Sequence, residues 1–388
     1  MCNPPPPSSC ASAKVALGPA TSDKGVAPTS ALGVGDVNGD GKADLVAVYG
    51  GSNATVNVLL NKGDGTFGAA INVDEIAQGY DVVVADFNGD CKADILVPSP
   101  GTDFGGVDLL LSNGDGTFHK ATSVDTMDSN VLSLVAADFN HDGRLDFAEF
   151  NLGGTSGAGI QVSLRAADGS FGAPTTFHSQ DNLGDPKEPR GLAAGDLDGD
   201  GAPELVLASP SMGACVLKND GNGGFTAPGL CNAPSMGYTG DTVAVGDVNG
   251  DGKADVVLGL GQSVTNGGPV IDVYFGKGDD TLADPIAVPY PGGFYGAVTL
   301  VDVNNDKKLD LVVYYGGSSL DPTAGFWVYL NDGSGKFPAA PAVYGAPIGI
   351  AQPGFGDFLG NGLVGMAAES SGVDVKDDFN VFAATCRN

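Results

Sequence analysis

Tryptophan, histidine and basic residues are scarce in this chain. Of 388 residues one is Trp and three are His, and 18 Lys and Arg stand against 47 Asp and Glu, a formal net charge of −29. Nucleic acid and anionic membrane surfaces both select basic partners, so neither suits this chain. His119, His141 and His178 fall in no zinc-type spacing, and there is neither a GxSxG nor a phosphate-binding glycine loop. No apolar run reaches the length of a transmembrane helix. A 3.6-residue apolar period is missing throughout, which excludes a helical architecture. No secretory signal is visible either: Met1-Cys2-Asn3 runs straight into four prolines.

Glycine, by contrast, is abundant at 62 residues, with 24 Pro, while 42% of residues are hydrophobic. That combination describes a turn-dense folded protein rather than a disordered one. The segment Asp36-Val37-Asn38-Gly39-Asp40-Gly41-Lys42-Ala43-Asp44 reads D-x-N-x-D-G-x-x-D. It sets hard oxygen donors at positions 1, 3, 5 and 9, the donor type that Ca²⁺ takes in flexible, six- to eightfold coordination. Alone it would pass for an Asx-rich turn. It recurs, however, from Asp86, Asp138, Asp196, Asp247 and Asp302, and in decayed form from Asp357. Spacings of 50 to 58 residues mark one supersecondary unit repeated in series. The six intact loops hold 19 of the 47 acids, so much of the acidity is ligand charge.

Each repeat carries four strand signals. In the first, Ala31–Gly35 leads into the loop, Asp44–Tyr49 leaves it as a Val/Leu run, and Thr55–Leu60 follows a Gly/Ser turn. A glycine-rich hairpin turn, Asn61–Phe67, then leads to Gly68–Val73. The turn returns as NGDGTF at 113–118, ADGSF at 167–171, DGNGGF at 220–225, GDDTL at 278–282 and DGSGKF at 332–337. The expected fold is all-β: a seven-bladed β-propeller of four-stranded antiparallel blades over residues 12–388, after a Pro/Ser-rich lead over 1–11. The seventh repeat has three strand signals (349–356, 364–369 and 378–384), so the N-terminal strand Ser12–Leu17 is expected to complete it and close the ring. Cys10 and Cys386 would then be neighbours able to bridge, and Cys215 and Cys231 flank the hairpin turn of blade four as a second candidate pair. Six cysteines allow 15 pairings, and Cys2 and Cys91 are left without an assigned partner.

The loops together with the Gly-Asp-Gly-Thr-Phe turns resemble FG-GAP/VCBS-type repeats, the blades of integrin α-subunit propellers and of many secreted microbial proteins. The resemblance extends over residues 12–384. It implies Ca²⁺ held by side chains at positions 1, 3, 5 and 9 and by the position-7 carbonyl. The sets are Asp36, Asn38, Asp40, Lys42 and Asp44; Asp86, Asn88, Asp90, Lys92 and Asp94; and Asp138, Asn140, Asp142, Arg144 and Asp146. They continue with Asp196, Asp198, Asp200, Ala202 and Glu204; Asp247, Asn249, Asp251, Lys253 and Asp255; and Asp302, Asn304, Asp306, Lys308 and Asp310. Cys91, Asn305 and Lys307 stand where such loops carry Gly. The decayed loop has Leu359 and Gly365 at ligand positions and is expected to be empty, giving five or six structural ions.

Strand parity puts the calcium and hairpin turns on one face, and the irregular loops on the other, where binding to a rigid scaffold tends to reside. The candidate ligand patch there is Tyr290, Phe294 and Tyr295, with Tyr238 and Phe104 on the same face; an inter-blade plug is the plainer reading of the first three. The expected function is a secreted or surface-exposed, calcium-stabilised binding or adhesion module, with a glycan as first ligand and a protein as second. The compartment expected is extracellular, periplasmic or cell-surface, with a lipoprotein anchor at Cys2 as one form of attachment. The lone Trp, Trp327, excludes a Trp-bearing sugar pocket repeated in every blade. No catalytic residue is assigned. The alternatives are a polysaccharide lyase or hydrolase, for which only His178, Lys187, Arg190 and Tyr295 approach a cluster, or a structural subunit of a surface assembly.

Overall fold

The computed structural model describes residues 14–17, 21–24, 31–49, 54–76, 81–99, 106–124, 131–151, 159–178, 191–209, 212–226, 231–234, 240–260, 270–289, 297–315, 325–338, 341–344, 353–359, 361, 363–372, 375–382 and 384–387. The regular elements among them are all strands. The chain forms a β-propeller of four-stranded antiparallel blades.

Six blades are each built from four consecutive strands. Blade one comprises Ala31–Gly35, Asp44–Tyr49, Ala54–Leu59 and Ile71–Ile76. Blade two comprises Val83–Ala85, Asp94–Ser99, Gly106–Ser112 and Phe118–Val124. Blade three comprises Val131–Ala137, Asp146–Asn151, Gly159–Ser163 and Thr175–His178. Blade four comprises Gly191–Gly195, Glu204–Ser209, Gly213–Asn219 and Phe225–Thr226. Blade five comprises Gly240–Gly246, Asp255–Leu260, Val270–Tyr274 and Ile286–Pro289. Blade six comprises Ala297–Val301, Asp310–Tyr315, Gly325–Tyr329 and Ala342–Tyr344.

The expectation of seven like blades closed by Ser12–Leu17 is corrected here. The seventh repeat supplies only Gly354–Gly356, Gly365–Gly372 and Val375–Phe382, and its sheet is completed by Thr21–Lys24, in register Thr21↔Val381 to Lys24↔Asp378. Lys14–Leu17 instead forms a separate two-stranded ribbon with Ala384–Arg387. The closing strand reads Thr-Ser-Asp-Lys, with no apolar alternation, so nothing in it signals a strand.

The blades adhere face to face through a circle of apolar clusters. Val46, Val48, Val56 and Val58 of blade one meet Ile95, Val97 and Leu110 of blade two, and the same contact recurs at each following seam. Blade six packs on Met366 and Ala368 of the composite sheet, whose Phe358 and Ala367 pack on Leu45, Leu59 and Phe67 of blade one. Every sheet is therefore covered on both faces, which is why the second strands are near-continuous apolar runs. Trp327 lies in the seam between blades five and six, 3% exposed.

Close approach at the first strands requires residues without a side chain. A Cβ on Gly35 would lie 2.6 Å from Val84 Cγ1 and 2.9 Å from Ala93 Cβ of the next blade. Overpacking of this kind costs about 1–3 kcal/mol. Gly35→Val should lower stability by that amount in urea denaturation, with little change in the denaturant slope; an unchanged midpoint would mean the blades do not meet there.

Candidate functional site

The loop between the first two strands folds alike in all six blades. In blade one the position-1 carboxylate accepts three successive N–H groups: Gly39 (2.8 Å) and Asp40 (3.0 Å) on Asp36 Oδ1, and Gly41 (2.7 Å) on Oδ2. Asn38 Oδ1 accepts from Asp40 N–H at 2.9 Å, and Asp40 Oδ1 from Lys42 N–H at 3.0 Å. Asp86, Asp138, Asp196, Asp247 and Asp302 gather the position-6 N–H of their own loops in the same way. Left-handed backbone is needed at position 6, where Gly41 has φ 82°. Cys91 (φ 68°) and Lys307 (φ 67°) adopt it without being Gly, as do His141 and Asn305 at position 4 (φ 57° each), so the departures in blades two, three and six leave the loop's shape intact.

Position 9 is different in kind. Asp44 is fully buried; its Oδ2 accepts from Val37 N–H in the loop (3.0 Å) and its Oδ1 from Asn61 N–H at the hairpin turn (2.7 Å). One carboxylate thus ties both turns of the blade together at one end of the sheet. Asp94 does so between Phe87 and Ser112, Asp146 between Phe139 and Arg165, Asp255 between Val248 and Gly276, and Asp310 between Val303 and Asn331. Burial pushes each of these five carboxyls up to about 6 against the pull of the same N–H donors. Glu204 in blade four is raised to about 7 by burial, opposed by Leu197 N–H, with the charges of Asp280 and Asp198 adding to the rise.

The side chain at position 7 was expected to matter only through its carbonyl. In blades one to three its cation sits on the position-5 carboxylate: Lys42 Nζ lies 2.6 Å from Asp40 Oδ2, Lys92 Nζ 2.8 Å from Asp90 Oδ2, and Arg144 pairs with Asp142. In blades five and six Lys253 Nζ and Lys308 Nζ donate to hairpin-turn carbonyls, those of Lys277 (2.8 Å) and Asp332 (3.0 Å). Blade four carries Ala202 there and has no such cation. In that loop the ligand atoms of Asp196, Asp198 and Glu204 lie within 4.8 Å of one another. Glu204 Oε2 accepts from Leu197 N–H at 2.7 Å, whereas Oε1 is buried with no hydrogen-bond partner. An all-oxygen donor set with an unsatisfied buried carboxylate oxygen fits a hard cation. The decayed loop keeps Asp357, which accepts from Asn361 N–H at 3.0 Å, but has Gly365 at position 9 and no buried carboxylate there.

A second periodic device escaped the sequence analysis. In five of the six blades, all but blade five, the residue entering the hairpin turn reaches across the seam to the position-2 carbonyl of the preceding loop. Asn61 Nδ2 donates to Phe358 O (3.0 Å), Ser112 Oγ to Val37 O (2.5 Å), Asn219 Nδ2 to Phe139 O (2.9 Å) and Asn331 Nδ2 to Val248 O (2.6 Å); Arg165 Nη1 donates to Phe87 O. The signal was present as Asn61, Asn219 and Asn331 in equivalent places, masked by the Ser and Arg between them. Arg165 and Arg144 also line a cavity of about 410 Å³ between the loops of blades two and three, walled by Asp86, Asn88, Asp138 and Asp168.

The Cys215–Cys231 pairing is present, and Cys91 is disulfide-bonded as well. Cys2, Cys10, Phe104, Tyr238, Tyr290, Phe294, Tyr295, Lys187 and Arg190 lie outside the described residues, and with them the proposed ligand patch and the Cys10–Cys386 pairing. No helix among the described residues is long and apolar enough to cross a membrane.

Residues 36–97, 101–148 and 196–258 match the FG-GAP-like repeat. The chain is 35% identical over 163 residues to cartilage acidic protein 1 of Xenopus tropicalis, covering 39% of this chain and 24% of that protein. It is 32% identical over 175 residues to the Homo sapiens protein of the same name, covering 42% and 26%. A T-cell immunomodulatory protein homolog of Plasmodium yoelii yoelii is 26% identical over 129 residues, 29% of this chain and 18% of that one. The chain thus spans about a quarter or less of the length of these relatives. Among solved structures, BBS1N crystallised in complex with ARL6DN and soaked with mercury superposes with a TM-score of 0.60 at 13% identity, over 96% of this chain and 97% of that chain, a likeness of fold alone.

Asn331 shows what the seam bond is worth. Its amide donates to Val248 O and Leu309 O (2.9 Å) and its Oδ1 accepts from Gly333 N–H (2.9 Å), all with the side chain 3% exposed. Asn331→Ala strands buried polar groups and should cost on the order of 2–3 kcal/mol by denaturant melt; a cost under half of that would mean water replaces the amide.

Proposed function

From the premise that this chain carries FG-GAP-like repeats folded into a β-propeller, we propose that it is a calcium-stabilised binding module working outside the reducing cytosol. The observation that carries the reading is the sixfold loop in which a buried acid at position 9 faces acids at positions 1 and 5. Asp36, Asn38, Asp40 and Asp44 would hold the ion in blade one with the Lys42 carbonyl, and the equivalent residues would do so in blades two to six. Bound Ca²⁺ would supply the positive charge that offsets carboxylates otherwise repelling one another in a partly dry turn. The chain's own part is preorganisation: N–H groups fix the position-1 carboxylate, and in blades one to three the position-7 Lys or Arg holds the position-5 carboxylate. The disulfides support an oxidising compartment, extracellular, periplasmic or at the cell surface.

An ion bound only by the folded state stabilises by roughly 2–3 kcal/mol per site at a hundredfold excess over Kd. Millimolar calcium should therefore raise Tm by several degrees and a chelator should reverse it; equal melting in both would refute the role. The increment also depends on pH. The position-9 carboxyls are raised in the metal-free fold, so the metal-free protein gains stability from their protonation as pH falls through about 6 toward 4, whereas a bound cation favours the anion. The calcium increment in Tm should shrink steadily between pH 7.5 and 5.5. An increment constant across that range would detach the buried acids from the ion.

The ligand class proposed is a glycan, bound on the face opposite the calcium loops, with Tyr and Phe rather than Trp as its stacking surface because Trp327 is buried. A glycan array in calcium and in chelator should give calcium-dependent binding. Silence in both, with the fold intact, would transfer the proposal to a protein partner.

A further inference from the structure

The seam between blades four and five departs from every other seam at several positions at once. The position-9 acid is Glu204 where the other loops have Asp, position 3 is Asp198 where they have Asn, and position 7 is Ala202 where they have Lys or Arg. The seam-spanning donor is missing, because Gly276 occupies the place of Asn61, Ser112, Arg165, Asn219 and Asn331. Across from it, Lys218 stands where the equivalent strand positions hold Leu60, Leu111, Leu164, Phe275 and Leu330. In the hairpin turn of blade five, Asp280 replaces the glycine found at Gly65, Gly116, Gly169, Gly223 and Gly335, and it does so in left-handed backbone, φ 62°. A side chain tolerated at such a cost usually has something to hold.

The geometry says what. The Asp280 side chain is 8% exposed and turned toward the loop of blade four. Its Oδ2 pairs with Lys218 Nζ, which also lies 3.5 Å from Asp198 Oδ2, so one ammonium bridges the two blades. Asp280 Oδ1 is buried with no hydrogen-bond partner, and so is Glu204 Oε1. The Lys218 ammonium, on a side chain that is 56% exposed and can leave, thus joins Asp280 to Asp198, whose carboxylate clusters in turn with those of Asp196 and Glu204.

We propose that the blade-four loop and the blade-five hairpin turn form one inter-blade site for a hard divalent cation, in which Asp280 is an added ligand and Lys218 the counter-ion displaced on binding. This rests on the reading that the loops take calcium. The ion takes over the cross-seam role that a side-chain donor performs at the other hairpin turns, where Gly276 offers none.

The test is equilibrium dialysis of the full chain against buffered calcium, giving the number of sites and their affinities for wild type, Glu204→Gln, Asp280→Gly and Lys218→Met. Asp280→Gly restores the residue that the other turns use, so it keeps the turn and relieves its backbone. Glu204→Gln should remove one site, Asp280→Gly should weaken that same site at least tenfold and leave the others unchanged, and Lys218→Met should tighten it several-fold. Asp280→Gly binding like wild type, or Lys218→Met failing to tighten the site, would overturn the proposal and reduce Lys218–Asp280 to a plain inter-blade ion pair. A wild-type chain that binds no calcium at all would instead overturn the reading of the loops, so the two failures are told apart.

Discussion

The propeller depends on a buried carboxylate used as a fastener. Each blade must turn its chain twice at the same end of the sheet, once through an acidic loop and once through a glycine-rich hairpin. In five of the six blades a single Asp at the start of the second strand, out of water, accepts an N–H from each turn. Charge-assisted bonds of this kind are about twice as strong as neutral ones, which offsets part of the cost of leaving an anion in a dry place. The same arrangement leaves the carboxylate prone to take a proton or a cation, so the fold's fastener and its proposed ion site are one group.

Around that fastener the sheets are held by two further layers of different chemistry. Apolar side chains fill every seam, and amide, hydroxyl or guanidinium donors stitch the rim, each capturing a loop carbonyl of the blade before it. The apolar layer is non-directional and sets only that blades stack. The stitches are directional and fix which strand lies opposite which, because a buried carbonyl without a donor is costly.

The loops and hairpin turns were legible because their chemistry is local: D-x-N-x-D-G and Gly-Asp-Gly specify backbone conformation residue by residue. The buried strands were legible from runs such as Leu45–Val48. The closing strand was not, since Thr21–Lys24 is recruited by the edge that Val375–Phe382 presents and has no pattern of its own. The seam donors were hidden for another reason. Asn, Ser and Arg are unlike as letters yet equivalent as donors, and their target carbonyl lies in a different repeat. Lys42 and Lys92 were read for their carbonyls alone, because only coordinates reveal that their ammonium groups rest on the loop's own carboxylate.

The composite sheet has a consequence for how the molecule comes into being. Its strands pair Thr21 with Val381, so the circle stays open until the far end of the chain has left the ribosome. Until then the nascent protein is a growing stack with one face of its first blade and one face of its latest blade uncovered. Such exposed sheet faces and edges invite pairing with other chains. Premature termination within the last repeat would therefore be expected to yield an adhesive, unclosed arc rather than a slightly smaller ring.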